Sequence, residues 1–268
     1  MVTVLTLVIG SFLRSVVLRP VQSIGRLCSE VTSGNFKGRV DVRSGDEIGV
    51  LARTVNTMVD GLRERFELTK YVSAGTIDSL STSQEPRRVL RTLLFTDVRG
   101  FTSFTERRPP EQVVQVLNLL LDRQSEIIQR HGGDIDKFAG DEIVAVFSGD
   151  DAPRRACAAA FGIADLCRRN AVELQDLVVG AGVATGSVIQ GRIGSLRRAD
   201  FTVIGDSVNL ASRLCSLAKG LQVVVSDSTK TAAETAFQFR GPYSVKVKGK
   251  SDAQRVWLLA GPVTRRSP

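Results

Sequence analysis

Two aspartates each stand at the edge of an apolar run. Asp97 closes Leu93-Leu94-Phe95-Thr96 and is followed by Val98-Arg99-Gly100-Phe101-Thr102. Asp141 follows Asp136-Lys137-Phe138-Ala139-Gly140 and precedes Glu142-Ile143-Val144-Ala145-Val146-Phe147. Both stretches read as buried strands that break into glycine-containing turns. A carboxylate at a strand end beside a flexible turn can hold a hard divalent cation. Two of them brought together suit a pair of Mg²⁺ ions held against a nucleoside triphosphate. Taken singly, each aspartate reads equally well as a turn residue at the end of an ordinary strand.

A third segment runs Arg198-Ala199-Asp200-Phe201-Thr202-Val203-Ile204-Gly205-Asp206-Ser207-Val208-Asn209-Leu210-Ala211-Ser212-Arg213. Asp206 or Ser207 is expected to cap the helix that follows. Asn209 and Arg213 are four apart and share one face of it, with Leu210, Leu214 and Leu217 on the buried side. Asn and Arg alone would read as a solvated face. With Lys137 and the two aspartates they form a set suited to phosphate, because a guanidinium offers a planar fork to phosphate oxygens.

The elements that must position these groups follow from periodicity. The pattern predicts strands at 89–97, 134–139, 142–148, 177–186, near 200–204, at 221–226, and a final pair near 243–248 and 254–259. Helices are predicted at 110–130, 153–170 and 207–219. The helix at 110–130 opens on Pro110 and carries Val113, Val114, Val116, Leu117, Leu120, Leu121, Ile127 and Ile128 on one wide face. Strand-helix-strand-strand-helix-strand order predicts an α+β domain of ferredoxin-like βαββαβ type, in which two central strand ends bring Asp97 and Asp141 together.

The composition permits one sizeable domain and a smaller module: 268 residues, 43% hydrophobic and 24% charged. A net charge of +8 could signal nucleic acid, but the basic residues are dispersed and aromatics make up only 6%. No nucleic-acid partner is therefore expected, and a phosphate-rich substrate or an anionic membrane surface accounts for the charge. Cys28, Cys157, Cys167 and Cys215 lack metal-ligand spacing and read as reduced thiols of a cytosolic compartment. His131, before Gly132-Gly133, reads as a helix-end residue.

Residues 1–19 are apolar, interrupted by Arg14 and closed by Arg19. The uninterrupted run to Leu13 is shorter than the roughly 20 residues that span a bilayer. It is read as the cytoplasmic end of a transmembrane segment or as a buried or interfacial helix. The arginines at 14, 19 and 26 put the cytoplasm immediately after it. Pro20 suits a helix start, Ile24, Leu27 and Val31 give its apolar stripe, and Ser33-Gly34-Asn35 ends it. A connector with Val40 and Val42 follows. A second helix then carries Ile48, Leu51, Val55, Met58 and Leu62, a heptad spacing that asks for a partner helix.

With Asp46-Glu47-Ile48-Gly49 opening the second helix, and Asn56 and Met58 in place, this stretch resembles a HAMP domain. The resemblance implies a parallel dimeric four-helix bundle relaying motion from a membrane segment. The organisation expected is a membrane-proximal helix at 1–19, HAMP at 20–66, a linker at 67–87 and a catalytic domain at 88–262, with the catalytic domain cytoplasmic at the cell membrane.

Phe95-Thr96-Asp97-Val98-Arg99-Gly100-Phe101-Thr102, Lys137-Phe138-Ala139-Gly140-Asp141 and Gly205-Asp206-Ser207-Val208-Asn209-Leu210-Ala211-Ser212-Arg213 together resemble the catalytic motifs of class III nucleotide cyclases. Lys248-Gly249-Lys250 resembles that family's triphosphate-contacting basic segment. The resemblance implies two Mg²⁺ or Mn²⁺ on Asp97, Asp141 and the Val98 carbonyl. It implies Arg213 against the α-phosphate, Asn209 on the ribose, Lys248 on the terminal phosphates, and backbone N–H groups of Gly100, Phe101 and Thr102 on phosphate oxygens. Lys137 and Thr202 would read the base. The best-known adenylate cyclases have aspartate where Thr202 stands, whereas a bacterial subgroup has threonine. Guanylate cyclases usually place Glu and Cys at these two positions, so ATP is the substrate expected. The family builds each site between two domains, which implies a homodimer. Three other readings remain: a guanylate cyclase, a diguanylate cyclase, from the likeness of Ala139-Gly140-Asp141-Glu142-Ile143 to that family's turn, and a catalytically silent nucleotide-binding or dimerisation module.

Overall fold

The computed structural model describes residues 1–41, 44–69, 85–195, 199–246 and 253–263. The chain divides into two compact units, Met1–Tyr71 and Val72–Pro268. Val42 and most of the expected linker at 67–87 fall outside the described residues.

In the first unit, α1 (Val2–Leu13), a five-residue π-helical turn (Arg14–Leu18) and α2 (Arg19–Thr32) form one continuous helix. Pro20 therefore does not begin a new helix, as the sequence suggested. It has no N–H to give to the preceding turn, and the widened turn before it accommodates the ring. The result is a helix, Val2–Thr32, long and apolar enough to cross a membrane, with its apolar window wholly unburied. The connector returns to α3 (Glu47–Thr69). A small core forms from Ile24, Leu27, Val40, Ala52, Val55 and Val59.

Only Val55 of the expected heptad set is buried there. Leu51, Met58 and Leu62 are exposed, because Ala52, Val55 and Val59 form the stripe that faces α2. The Asp-Glu-Ile-Gly motif has a local cause. Asp46 Oδ1 accepts from the N–H groups of Ile48 and Gly49, both at 3.1 Å, capping α3. A Cβ on Gly49 would run into the Ser44 carbonyl oxygen. Asn56 fixes the connector: its Oδ1 accepts from Val40 N–H and its Nδ2 donates to the Val40 carbonyl, each at 3.0 Å.

The second unit is an eight-stranded mixed sheet covered on both faces. Its elements are β1 (Arg87–Val98), α4 (Phe101–Thr105), α5 (Pro110–Arg130), β2 (Gly133–Ala139), β3 (Glu142–Phe147), α6 (Ala152–Arg169), β4 (Val179–Gly194), β5 (Ala199–Ile204), α7 (Asp206–Leu217), β6 (Val223–Ser226), α8 (Asp227–Ala233), β7 (Phe237–Val245) and β8 (Gln254–Pro262). Strand order is β2-β3-β1-β4-β6-β8-β7, with β5 on the far half of β4. The β1-α5-β2-β3-α6-β4 portion is the ferredoxin-like arrangement the sequence led us to expect. β4 runs past the expected end at 186 because its second half pairs with both β1 and β5. Helix α8 has no counterpart in the sequence reading.

The near-continuous apolar run of β1 follows from burial on both faces. Leu94 and Val98 face α5 and α6, while Leu93 and Phe95 join the core under α7. The alanine-rich α6 buries Ala156, Cys157, Ala159, Ala160 and Ile163, small side chains that let it lie close to the sheet. Burial pushes the Cys157 and Cys215 thiols up to about 12, and all four cysteines are free.

Candidate active site

β1 and β3 are antiparallel neighbours, with Asp97 opposite Glu142. Asp141 sits in the β2–β3 turn one residue earlier, beside Gly140 in the left-handed region (φ 66°). The turn folds the Asp141 carboxyl onto that of Asp97. Burial, and then the Asp141 charge, push the Asp97 carboxyl above its ordinary value. Glu142 is raised in the same way, first by burial and then by the Asp97 and Asp141 charges. Arg99 opposes this: its Nη1 lies 3.2 Å from Asp97 Oδ2, and its Nη2 donates to the Cys215 carbonyl of α7 at 2.9 Å.

Glu142 and Arg99 were not singled out from the sequence. The strand register that sets Glu142 against Asp97 was the available signal. No group of three metal-type side chains converges among the described residues. The Asp97–Asp141 pair nevertheless fits Mg²⁺ or Mn²⁺, which take one or two carboxylates and complete their shell with carbonyl, phosphate and water oxygens. Mutually repelling carboxylates are relieved by such a cation, and the Val98 carbonyl lies next in the chain.

The loop after Asp97 turns at Gly100 (φ 70°) into the short α4. Phe101 is half-buried against the core, and Thr102 is exposed.

Lys137 of β2 and Thr202 of β5, which pairs with the far half of β4, meet through their side chains. Lys137 Nζ donates to Thr202 Oγ1 at 3.4 Å. A residue that sequence reasoning missed joins them: Thr202 Oγ1 donates to Asp136 Oδ2 at 2.8 Å, and Lys137 Nζ lies 3.3 Å from the same oxygen. Burial pushes the Asp136 carboxyl up, and the Thr202 hydrogen bond and Lys137 charge pull against that.

Asn209 and Arg213 ride on α7. The cap of that helix is Gly205, whose carbonyl accepts from the N–H groups of Val208 and Asn209, rather than an Asp206 or Ser207 side chain. Leu214 is fully buried and Leu210 half-buried, but Leu217, expected on the buried side, is exposed. α7 lies flat on β4 because Gly182 leaves room: a Cβ there would run into the Cys215 backbone nitrogen and the Ala211 carbonyl. Asn209 is exposed and Arg213 half-buried, and no hydrogen bond or ion pair among the described residues joins either to the carboxylates or to the Lys137–Thr202 pair. The protomer thus assembles Asp97 with Asp141, and Lys137 with Thr202, and among the described residues joins neither α7 side chain to them by a hydrogen bond or ion pair. Lys248 and its neighbours Gly249 and Lys250 lie outside the described residues.

A profile described as "Adenylate and Guanylate cyclase catalytic domain" matches residues 84–261, and one described as "HAMP domain" matches residues 12–64. An adenylate cyclase of Anabaena cylindrica is 32% identical over 268 residues, covering 89% of this chain and 53% of the relative. The chain spans about half the length of the curated relatives it matches. Among solved structures, the guanylyl cyclase Cya2 superposes with a TM-score of 0.64 at 35% identity, covering 69% of this chain and 98% of that one. The adenylyl cyclase CyaB from P. aeruginosa gives a TM-score of 0.64 at 28% identity, covering 69% and 100%.

Proposed function

The chain belongs to the class III adenylate and guanylate cyclases and carries an N-terminal HAMP domain, and from that premise we propose that it is an adenylate cyclase. It converts ATP to 3′,5′-cyclic AMP and pyrophosphate. The observation that carries the choice of base is the Lys137–Thr202 contact at 3.4 Å. Adenine presents a ring-nitrogen acceptor beside an amino donor, and an ammonium beside a hydroxyl oxygen complements that edge.

Asp97, Asp141 and the Val98 carbonyl would hold two Mg²⁺ or Mn²⁺, which when bound acidify the ribose 3′-hydroxyl and neutralise phosphate charge. The 3′-oxygen attacks the α-phosphorus in line, and pyrophosphate departs. Arg213 meets the charge that builds on the α-phosphate, and Asn209 holds the ribose. Lys248 and the backbone of Gly100, Phe101 and Thr102 bind the remaining phosphate oxygens.

Each site is shared in a two-fold homodimer, with Asp97 and Asp141 from one protomer facing Lys137, Thr202, Asn209 and Arg213 of the other; in support, no hydrogen bond or ion pair among the described residues of one protomer joins the two sets. The exposed Leu51, Met58 and Leu62 of α3 supply a further pairing surface upstream. The helix Val2–Thr32 anchors the protein in the cell membrane with the catalytic unit in the cytoplasm.

The test is product identification from ATP and from GTP, with Mn²⁺ and with Mg²⁺, for the parent, Asp97→Ala and Arg213→Ala. Each variant should be inactive alone. A mixture should regain up to about a quarter of parental activity, since random pairing makes half the dimers mixed, each with one intact site. Cyclic GMP as the main product would overturn the choice of base. Silence from well-mixed heterodimers would overturn the shared site.

A further inference from the structure

A hydroxyl selects a purine only if something fixes which way its hydrogen points. In β2 the register passes from Ile135↔Ala145 directly to Lys137↔Val144, so Asp136 is the extra residue of a bulge. In a regular strand Asp136 and Lys137 would point to opposite faces. The bulge re-aims them, and both reach Thr202. The Asp136 side chain is 6% exposed, whereas that of Lys137 is 52% exposed. Asp136 is therefore placed behind the pair rather than on the nucleotide side.

We propose that Asp136 is a specificity-determining positioning residue that makes Thr202 an obligate acceptor toward the substrate base. The inference rests on the reading that Lys137 and Thr202 face the base. Thr202 has one hydrogen, and the 2.8 Å bond commits it to Asp136 Oδ2. What remains on Oγ1 is lone pairs. An adenine 6-amino group can donate to them, whereas a guanine O6 meets them oxygen to oxygen. The Lys137 ammonium, 3.3 Å from the same carboxylate oxygen, compensates its charge and is held in reach of the ring nitrogen. The discrimination against GTP thus comes from a repulsive pairing built one residue away from the contact itself.

The experiment measures kcat/KM for ATP and for GTP in the parent, Asp136→Ala, Thr202→Val and the double variant. Asp136→Ala frees the hydroxyl to rotate, so the ATP:GTP ratio should fall roughly tenfold. In the Thr202→Val background the same change should leave the ratio unmoved, because the two residues act as one device. A purely structural Asp136 would instead lower both nucleotides together at a constant ratio, and that outcome overturns the proposal. A parent that prefers GTP would defeat the base reading itself; a parent that prefers ATP with an unchanged Asp136→Ala ratio defeats this inference alone. Should Asp136→Ala fail to fold, the isosteric Asp136→Asn substitutes, with a smaller fall expected and no fall refuting the idea. The unmodified protein gives an independent reading. Purine riboside triphosphate, which lacks a 6-substituent, should inhibit better than its 6-methoxy counterpart, and the reverse order means Thr202 donates.

Discussion

Replacing Asp141 by Asn should make the metal-free protein more stable, because Asp97 and Asp141 repel each other when no cation lies between them. The Asp97 carboxyl is raised above 3.8, first by burial and then by the Asp141 charge. A folded-state value above the unfolded one means that the folded chain holds the proton more tightly. Stability is then highest in acid and falls as pH rises from about 4 through the raised value. Two unit charges about 4 Å apart at an effective dielectric of 20 repel by about 4 kcal/mol. The Asp97 side chain is 33% exposed and also paired with Arg99, so solvent screening and that ion pair reduce the figure to about 1 kcal/mol. For a domain of roughly 200 residues this raises Tm by about 2–4 °C. Asp141→Asn should show that gain in EDTA at pH 7.5 by thermal denaturation, and the gain should shrink toward pH 4. Mn²⁺ with a non-cyclising ATP analogue should raise the parent's Tm and have little effect on the variant. An Asp141→Asn protein no more stable than the parent in EDTA, or one that keeps the full Mn²⁺ response, would refute the paired-carboxylate account.

Two further outcomes follow from the packing. Gly182→Ala sets a methyl against the backbone of α7 at Ala211 and Cys215, which no side-chain rotation relieves. It should cost about 3 kcal/mol or more, lower Tm by at least about 6 °C, and lower kcat because Asn209 and Arg213 move with the helix. Asn56→Ala leaves both the N–H and the carbonyl of the buried Val40 without their partners. It should cost about 1–3 kcal/mol locally, read as faster hydrogen exchange at the Val40 amide with exchange in the cyclase unit unchanged.

The meeting of Asp97 and Asp141 was legible because both positions are local to strand ends, an aspartate at the edge of an apolar run with a glycine nearby. The α5 stripe was legible for the same reason, since Val113, Val116, Leu120 and Ile128 recur at helical spacing. What stayed hidden depended on long-range pairing. The strand expected at 177–186 stopped short of the far half of β4, which pairing with β1 and β5 carries on to Gly194. Asp136 was invisible because strand alternation assigns it to the face opposite Lys137, and a bulge is a property of two paired strands rather than of one. The heptad of α3 did not foretell which stripe packs within the chain. The 3–4 rhythm of Leu51, Val55, Met58 and Leu62 runs beside a second stripe, Ala52, Val55 and Val59, and packing against α2 chose the latter.

In the single protomer, charges expected to meet the nucleotide are already answered internally. Asp97 is paired with Arg99, and Lys137 with Asp136. Arg99 and Asp97 are both partly exposed, so that pair contributes little to stability and can be exchanged at small cost, whereas the Asp136 side chain is buried and keeps Lys137 as its counter-charge. The α7 side chains Asn209 and Arg213 have no such partner among the described residues. On the function proposed above, nucleotide binding exchanges the Asp97–Arg99 pair for contacts to metal, keeps the Lys137–Asp136 pair behind the base, and gives the α7 groups a partner. The Arg99 bond to the Cys215 carbonyl runs from the metal strand to the end of that same helix. In the two-fold dimer proposed above that helix would serve the opposite site, so the Arg99 bond would link the carboxylates of one site to the α7 of the other.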